Sequence, residues 1–136
     1  MDTSDSERNR PVPLSLHLIS FGHKYGMPDR ADLVLDVRML PNPHWIPELK
    51  PFPGTNPEVA AYVLENPQTA ALLAVLLPYL DFVIASHRAD GREALTIATG
   101  CTGGKHRSVA VTEALARHLA SQVETITVTH RDIDRE

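Results

Sequence analysis

Hydrophobic and polar positions alternate along four short segments of this chain. "LSLHLISFG" (14–22) alternates and ends in glycine, which predicts a β-strand. "ADLVLDVRML" (31–40) holds a second strand, best placed at 33–37. "EALTIAT" (93–99) is typical of a buried strand, and "TITVT" (125–129) predicts a fourth strand near the end of the sequence.

Three further segments indicate helices. "PEVAAYVLEN" (57–66) starts with a proline, which is favoured in a first helical turn. "QTAALLAVLLPYLDFVIASHRADG" (68–91) is too apolar for a surface helix, so we expect it to be largely buried, with a kink or break at Pro78. "HRSVAVTEALARHLASQ" (106–122) repeats apolar residues at every fourth position, which predicts an amphipathic helix.

The resulting order, β-β-α-α-β-α-β, predicts an α/β fold. We expect a single three-layer domain with a mostly parallel central sheet of about four strands. Its predicted bounds are 13–132, with a flexible tail at 1–12 and a short C-terminal tail at 133–136. Ligands of such sheets bind beyond the carboxyl ends of the strands, so the loops at those ends are the candidate site.

Composition narrows the class of protein. The 13 basic and 17 acidic residues give a net charge of −4, which argues against nucleic-acid binding driven by phosphate neutralisation. A single cysteine excludes an intramolecular disulfide and fits a reducing compartment. The first ten residues lack the apolar core of a signal peptide, and the longest apolar run, 70–85, is shorter than a spanning helix. We expect a soluble, cytoplasmic protein without membrane association.

The loop "ATGCTGGKHRSVA" (98–110) has the features of an anion site. Its glycines let backbone N–H groups converge, and a helix N-terminus follows directly. Cations and hydroxyls in the loop add donors suited to a phosphate. The candidate ligand-binding residues here are Cys101, Thr102, Gly103, Gly104, Lys105, His106, Arg107 and Ser108.

The same loop leaves a catalytic alternative open. Cys-X5-Arg followed by serine is the spacing of cysteine-dependent phosphatases, in which a thiolate attacks phosphorus. Cys101 would be the nucleophile, Arg107 would hold the phosphate and Asp36 is a conceivable general acid. Gly100 stands where such enzymes carry a histidine, and no motif identifies the acid. We therefore predict no catalytic residue and keep a phosphatase as the alternative.

The loops after the first two strands add polar candidates. "SFGHKYG" offers His23 and Lys24, although a surface lysine is usually solvated. "LDVRML" places Asp36 and Arg38 on one face of a strand end, where an ion pair is the simpler interpretation.

A stiff proline-rich loop, 41–57, contains Asn42 and His44. Long ordered loops of this kind are more often functional than plain connections. His130 and Arg131 follow the last strand and are further candidates, although a solvated chain end is the default there. No metal-ligand spacing, Walker A, GxGxxG or GxSxG motif occurs, so we predict no metal and no cofactor.

Four segments together resemble the C-terminal domain of the RapZ (YvcJ-like) family, over about 15–132: "SFGHKYG", "DVRMLPNPHW", "ELKPFPGTNPEVAAYV" and "LTIATGCTGGKHRSV". The resemblance implies a fold like a subdomain of 6-phosphofructokinase. It also implies a ligand such as glucosamine 6-phosphate or a nucleotide sugar, and a regulatory role as an RNase adaptor. Carried over by position, the implied pocket residues are Lys24, Arg38, Asn42, His44, Thr102, Gly103, Gly104, Lys105, His106 and Arg107.

Two departures limit that resemblance. Full-length family members have an N-terminal nucleotide-binding domain with a Walker A motif, which this sequence does not contain, so ATP or GTP binding is not carried over. RNA-binding members end in a basic tail, whereas this sequence ends in "RDIDRE". We predict a non-catalytic domain that binds a phosphorylated amino sugar or a nucleotide sugar and forms a homodimer. A phosphatase and an RNA-binding adaptor are the alternatives.

Overall fold

Four strands and three α-helices follow one another in the order that the sequence predicts. The computed structural model describes residues 13–135. The strands are β1 (Ser15–Gly22), β2 (Leu33–Asp36), β3 (Ala94–Cys101) and β4 (Thr125–His130). The helices are α1 (Pro57–Leu64), α2 (Pro67–Ala89) and α3 (Arg107–Leu119). Short 3₁₀ turns lie at His23–Tyr25, Pro43–Trp45 and Ala120–Gln122.

The four strands form one sheet in the order β2-β3-β1-β4, and every neighbouring pair is parallel. Gly22 at the end of β1 pairs with Cys101, and Asp36 at the end of β2 pairs with Gly100. The carboxyl ends of these strands therefore meet at one edge of the sheet, which brings their loops together. The predicted α/β fold with a parallel sheet is confirmed.

The domain has three layers: the sheet, α3 packed on β1 and β3, and α1 packed on α3. On the covered face of the sheet, Leu16 and Leu18 of β1 lie beside Leu95 and Ile97 of β3. Each is at most 1% exposed, and all four join Leu115 of α3 in a single core. Burying a side chain of this kind stabilises the fold by about 1.5–3 kcal/mol.

Helix α2 is less buried than predicted, because one of its two apolar rows is exposed. It continues through Pro78 without a break, and a kink there stays a prediction. Pro78 and Ala74 both lie on the exposed side, so water can reach the carbonyl that the proline leaves without a donor. The buried row is Leu76, Leu80, Val83 and Ile84. The exposed row is Val75, Tyr79 and Phe82.

By length and composition α2 could cross a bilayer, with a mean hydropathy of 1.9 in an 18-residue window that is 28% buried. Its buried row nevertheless belongs to the same core as the sheet leucines. The absence of membrane association stays a prediction.

Element ends differ slightly from the predicted ones. Strand β3 runs two residues further, to Cys101, because Gly100 and Cys101 still pair with Phe21 and Gly22 of β1. Helix α3 ends at Leu119 and is followed by a 3₁₀ turn. The predicted tail at 1–12 lies outside the described residues, and the domain bounds stay a prediction.

Candidate anion-binding pocket

The loops after β1, β2 and β3 enclose a pocket of about 570 Å³. This volume lies within the range of small-molecule sites. The lining residues are Lys24, Asn42, His44, Trp45, Lys50, Pro51, Cys101, Thr102, Gly103, Lys105, His106 and Arg107.

Most of the candidate ligand-binding residues meet at this pocket, and some do not. Arg38, Gly104 and Ser108 do not line it. His23 and Asp36, at the ends of β1 and β2, do not line it either. Three lining residues, Trp45, Lys50 and Pro51, were not predicted from the sequence. All three lie in the proline-rich loop, which the sequence predicts to be functional. Its sequence does not indicate which of its side chains face the pocket.

Arg38 forms a bidentate ion pair instead of lining the pocket. Its Nε and Nη2 donate to the two oxygens of Asp36 at 3.0 and 2.8 Å. The hydrogen bonds from Arg38 lower the pKa of Asp36 to about 2, and the carboxylate in turn raises the pKa of Arg38. Asp36 is therefore ionised at neutral pH and cannot serve as the general acid of a phosphatase.

His23 packs beside Gly100 of β3, just before the glycine-rich loop 102–107, which we call the anion loop. Its ring lies 4.8 Å from the ring of Phe21, and a Cβ at Gly100 would come within 2.7 Å of the His23 Nε2. Burial lowers the pKa of His23, so the ring is neutral at pH 7. Glycine at position 100 thus makes room for a supporting histidine.

His130 and Arg131 are held in the fold and are not a solvated chain end. The Ser20 hydroxyl and the His130 Nδ1 are 2.7 Å apart, and the His130 Nε2 lies 3.0 Å from a Glu113 oxygen. Because a carboxylate only accepts, Nε2 carries the proton in this arrangement. Arg131 pairs with the carboxylate of Asp132 at 2.8 Å. These contacts connect β4 to β1 and α3.

Asp132 is fully buried and supports the anion loop from below. Its carboxylate accepts the Gly22 N–H at 2.8 Å and pairs with Arg131 and Arg135. Burial opposes ionisation, but hydrogen bonds from Arg131 and Gly22 outweigh it and lower the pKa of Asp132. Nothing in the sequence predicted that Asp132 supports the site.

Gly104 lets the loop approach β1 closely. It has a φ of +81°, and a Cβ there would lie 2.6 Å from the Gly22 nitrogen and 2.8 Å from the Asp132 Cβ. A side chain would therefore meet both backbone strain and a clash. This position requires glycine.

The Cys101 thiol is enclosed by the loop. It is 2% exposed, accepts the Gly104 N–H at 3.3 Å and donates to the Ser108 hydroxyl at 3.2 Å. Ser108 is itself fully buried, so its contribution to the pocket is to fix Cys101.

Helix α3 starts differently from the other two helices. Helices α1 and α2 begin with Asn56 and Asn66, whose side chains accept first-turn N–H groups. Among the described residues, the N-cap of α3 is His106, whose side chain makes no such bond and whose Nε2 donates to the Lys50 carbonyl at 2.9 Å. The first-turn amides of α3 therefore keep their capacity to bind an anion.

Arg107, the first residue of α3, connects two loops. It is 5% exposed, and its guanidinium donates to the carbonyls of Arg38 and Leu40 and to the Thr102 hydroxyl. Its buried Nε has no hydrogen-bond partner within residues 13–135. These bonds fix the start of the proline-rich loop against the anion loop.

The charge of the pocket is opposite to that of the chain. All three lysines of the sequence, Lys24, Lys50 and Lys105, line it together with Arg107. Of the residues that the structure describes, no aspartate or glutamate lines it. Clefts lined by one sign of charge concentrate ligands of the opposite sign, so this pocket favours anions.

A metal centre has no support in the described part of the chain. There, no group of three or more His, Cys, Asp or Glu side chains could hold a metal ion. The expectation of no metal and no cofactor stays a prediction.

Comparisons with known proteins agree with the motifs. A family model described as the RapZ C-terminal domain matches residues 14–134. A nucleotide-binding protein of Streptomyces coelicolor is 53% identical over 120 residues, 88% of this chain and 40% of the relative. A nucleotide-binding protein of Pelobacter propionicus is 47% identical over 124 residues, 91% of this chain and 43% of the relative. The chain thus spans about two fifths of the length of these curated relatives.

Proposed function

This chain belongs to the RapZ C-terminal domain family, and we propose that it is a non-catalytic binding or sensing domain for a phosphorylated small molecule. The ligand is an amino-sugar phosphate such as glucosamine 6-phosphate, or a nucleotide sugar. The observation that carries the proposal is the lysine-lined pocket at the N-terminus of α3. The name "nucleotide-binding protein" of the relatives supports a ligand of this class.

The proposed binding mode divides the pocket into two ends. The phosphate lies against the loop 102–107, where backbone amides and Lys105 provide donors and positive charge. Lys24, whose N–H donates to the Thr102 carbonyl at 3.2 Å, adds positive charge at the same end. The remainder of the ligand extends towards Asn42 and His44 of the proline-rich loop, which also line the pocket. Charge-assisted hydrogen bonds therefore orient the ligand at one end, and the Asn42 amide and the His44 ring offer polar contacts at the other.

The proposal can be tested by thermal unfolding with glucosamine 6-phosphate and with a nucleotide sugar. A ligand at 100 times its Kd stabilises the domain by about 2.7 kcal/mol, which raises Tm by several degrees. Lys105→Ala removes a pocket charge and should abolish most of this shift. Arg117→Ala is the matched control, because Arg117 is exposed on α3 and does not line the pocket. No shift with any phosphorylated ligand would contradict the proposal.

The phosphatase alternative has less support from the geometry. Asp36 is ionised and paired, Cys101 is held by two hydrogen bonds, and Arg107 is bonded to backbone carbonyls. We expect no turnover of an aryl phosphate between pH 5 and 8. Turnover that disappears in Cys101→Ser would establish the phosphatase instead.

We also propose a regulatory role for ligand binding in the cytoplasm. An RNase-adaptor role through direct RNA contact is the less favoured form of that role, because the net charge of −4 opposes phosphate binding along a polynucleotide. A gel shift with RNA at low salt should show no retention, and retention that weakens with added salt would favour the adaptor.

A homodimer is the last part of the proposal. The exposed row of α2, Val75, Tyr79 and Phe82, supports it, because it is apolar and two copies can oppose it without like-charge repulsion. Light scattering should give twice the chain mass of 15.0 kDa, and Phe82→Ser should lower it. A mass of one chain at high concentration would contradict the dimer.

A further inference from the structure

Trp45 is the only tryptophan of the chain, and it is 75% exposed. Tryptophan side chains are highly buried on average, since an indole has the largest apolar surface of any residue. Trp45 lies at the proline-rich side of the pocket, which it lines together with His44. A large aromatic group that is exposed inside a ligand pocket is a contact surface for the ligand.

The turn that carries Trp45 is rigid. The Asn42 side chain accepts the His44 N–H at 3.1 Å, and the Asn42 carbonyl accepts the Trp45 N–H at 3.1 Å. Pro43 begins this turn with a fixed φ. The His44 ring contacts the indole edge-to-face, with centroids 5.0 Å apart and planes at 89°. The indole therefore has little conformational entropy to lose when a ligand contacts it.

His106 and Arg107, at the start of α3, also hold both sides of the proline-rich loop. Arg107 bonds the carbonyls of Arg38 and Leu40 before Trp45, and His106 bonds the carbonyl of Lys50 after it. Direct hydrogen bonds therefore hold the backbone of the proline-rich loop beside the anion loop. A ligand with a phosphate at one end and a flat group at the other can contact both the anion loop and the indole.

The pocket has room for a ligand larger than a monosaccharide phosphate. Such a sugar has about 16 non-hydrogen atoms, which take up roughly 300 Å³ at the packing density of a protein interior. The pocket of about 570 Å³ has room for a second ring. Nucleobases stack on tryptophan irrespective of sequence, since every base has a π-face.

We propose that Trp45 is a stacking platform for a nucleobase, so that the ligand class of this pocket is a nucleoside phosphate rather than a bare sugar phosphate. This inference rests on the proposed function, because it uses the anion loop as the phosphate end. Trp45 sets the specificity, and the loop 102–107 supplies affinity for the phosphate that all candidate ligands share.

The single tryptophan makes the test direct. Wild-type protein is titrated with uridine diphosphate, adenosine diphosphate, glucosamine 6-phosphate and inorganic pyrophosphate, with fluorescence and calorimetry as readouts. A nucleoside diphosphate should quench Trp45 fluorescence and bind at least tenfold more tightly than pyrophosphate. Trp45→Ala should weaken the nucleoside diphosphate about 5- to 150-fold, as expected for the loss of one base stack. It should leave pyrophosphate binding within twofold.

Two variants complete the design. Trp45→Phe should retain most of the nucleotide affinity. Phe52→Ala should change nothing, because Phe52 is 47% exposed in the same loop and, within the described residues, does not line the pocket. Glucosamine 6-phosphate binding as tightly as the nucleotides, or Trp45→Ala without effect on them, would overturn the inference and leave the proposed function standing. No binding of any of the four compounds would overturn both.

Discussion

At the scale of single residues, three lysines and Arg107 give the pocket its positive charge. All three lysines line the pocket. Hydrogen bonds hold the side chains around them: Arg107 bonds two backbone carbonyls, His106 bonds the Lys50 carbonyl, and Cys101 bonds the Ser108 hydroxyl. Beneath them, buried Asp132 and positive-φ Gly104 hold the anion loop against β1. Each of these features can be tested by one substitution.

Gly104→Ala should destabilise the fold more than Gly91→Ala. Both glycines have a positive φ, +81° and +73°, so both alanines meet strain of about 1–3 kcal/mol. Only at Gly104 would the new Cβ also clash with the Gly22 backbone, whereas nothing lies within 4 Å at Gly91. Urea denaturation measures the difference. Equal losses would show that the loop can move away from β1.

Asp132→Ala should lower the free energy of unfolding by about 2–4 kcal/mol, because it leaves the Gly22 N–H without an acceptor and Arg131 without its partner. Asp134→Ala is the control, since Asp134 is exposed. The lowered pKa adds a pH test: the contribution of Asp132 is fully present above about pH 3.9 and is lost as the pH falls towards the folded-state pKa. A loss no larger than that of the control would contradict this role.

His106 should make stability fall as the solution is acidified. Burial lowers its pKa in the folded protein, so below about pH 6.5 the unfolded chain takes up the proton first. The stabilisation is therefore fully present above pH 6.5 and decreases below it. Unfolding measured from pH 7.5 to 5 should show a smaller decrease in His106→Gln than in the wild type. Identical pH profiles for the wild type and His106→Gln would show that burial does not lower the pKa of the His106 ring.

At the scale of elements, alternating apolar residues and one short buried run predict all four strands along the chain, but they do not predict the order of the strands in the sheet. The orientation of α2 was not predictable, since Leu80 and Phe82 lie on opposite rows that are both apolar in sequence. The end of β3 was missed because Gly100 and Cys101 resemble a loop locally and only pairing with β1 makes them a strand. Trp45 and Lys50 reach the pocket through hydrogen bonds from α3, which no local pattern encodes.

The two rows of α2 should respond differently to truncation. Leu80→Ala should lower the free energy of unfolding by about 2–5 kcal/mol, because Leu80 is fully buried. Val75→Ala should change it by no more than about 0.5 kcal/mol, since Val75 is 69% exposed. Chemical denaturation at a concentration where the chain is monomeric separates the two. Similar losses would show that the exposed row is packed within the domain.

At the scale of the whole molecule, an acidic chain folds so that its three lysines and Arg107 meet at one edge of a parallel sheet. Three parallel strands deliver their loops there, and the amides of α3 point at the same position. The motifs predicted the family, and they predicted where most of the lining residues lie along the chain. The ion pair between Arg38 and Asp36 was the simpler interpretation of the sequence, but its consequence, that Arg38 does not line the pocket, was not predicted.

The central claim is that a phosphate binds at the loop that begins α3. Amide NMR spectra recorded during titration with glucosamine 6-phosphate and with uridine diphosphate test it most directly. We predict saturable shifts that are largest for the amides of residues 102–108, weakened in Lys105→Ala and unchanged in Arg117→Ala. Shifts centred elsewhere, or no saturable shift with either compound, would contradict the account.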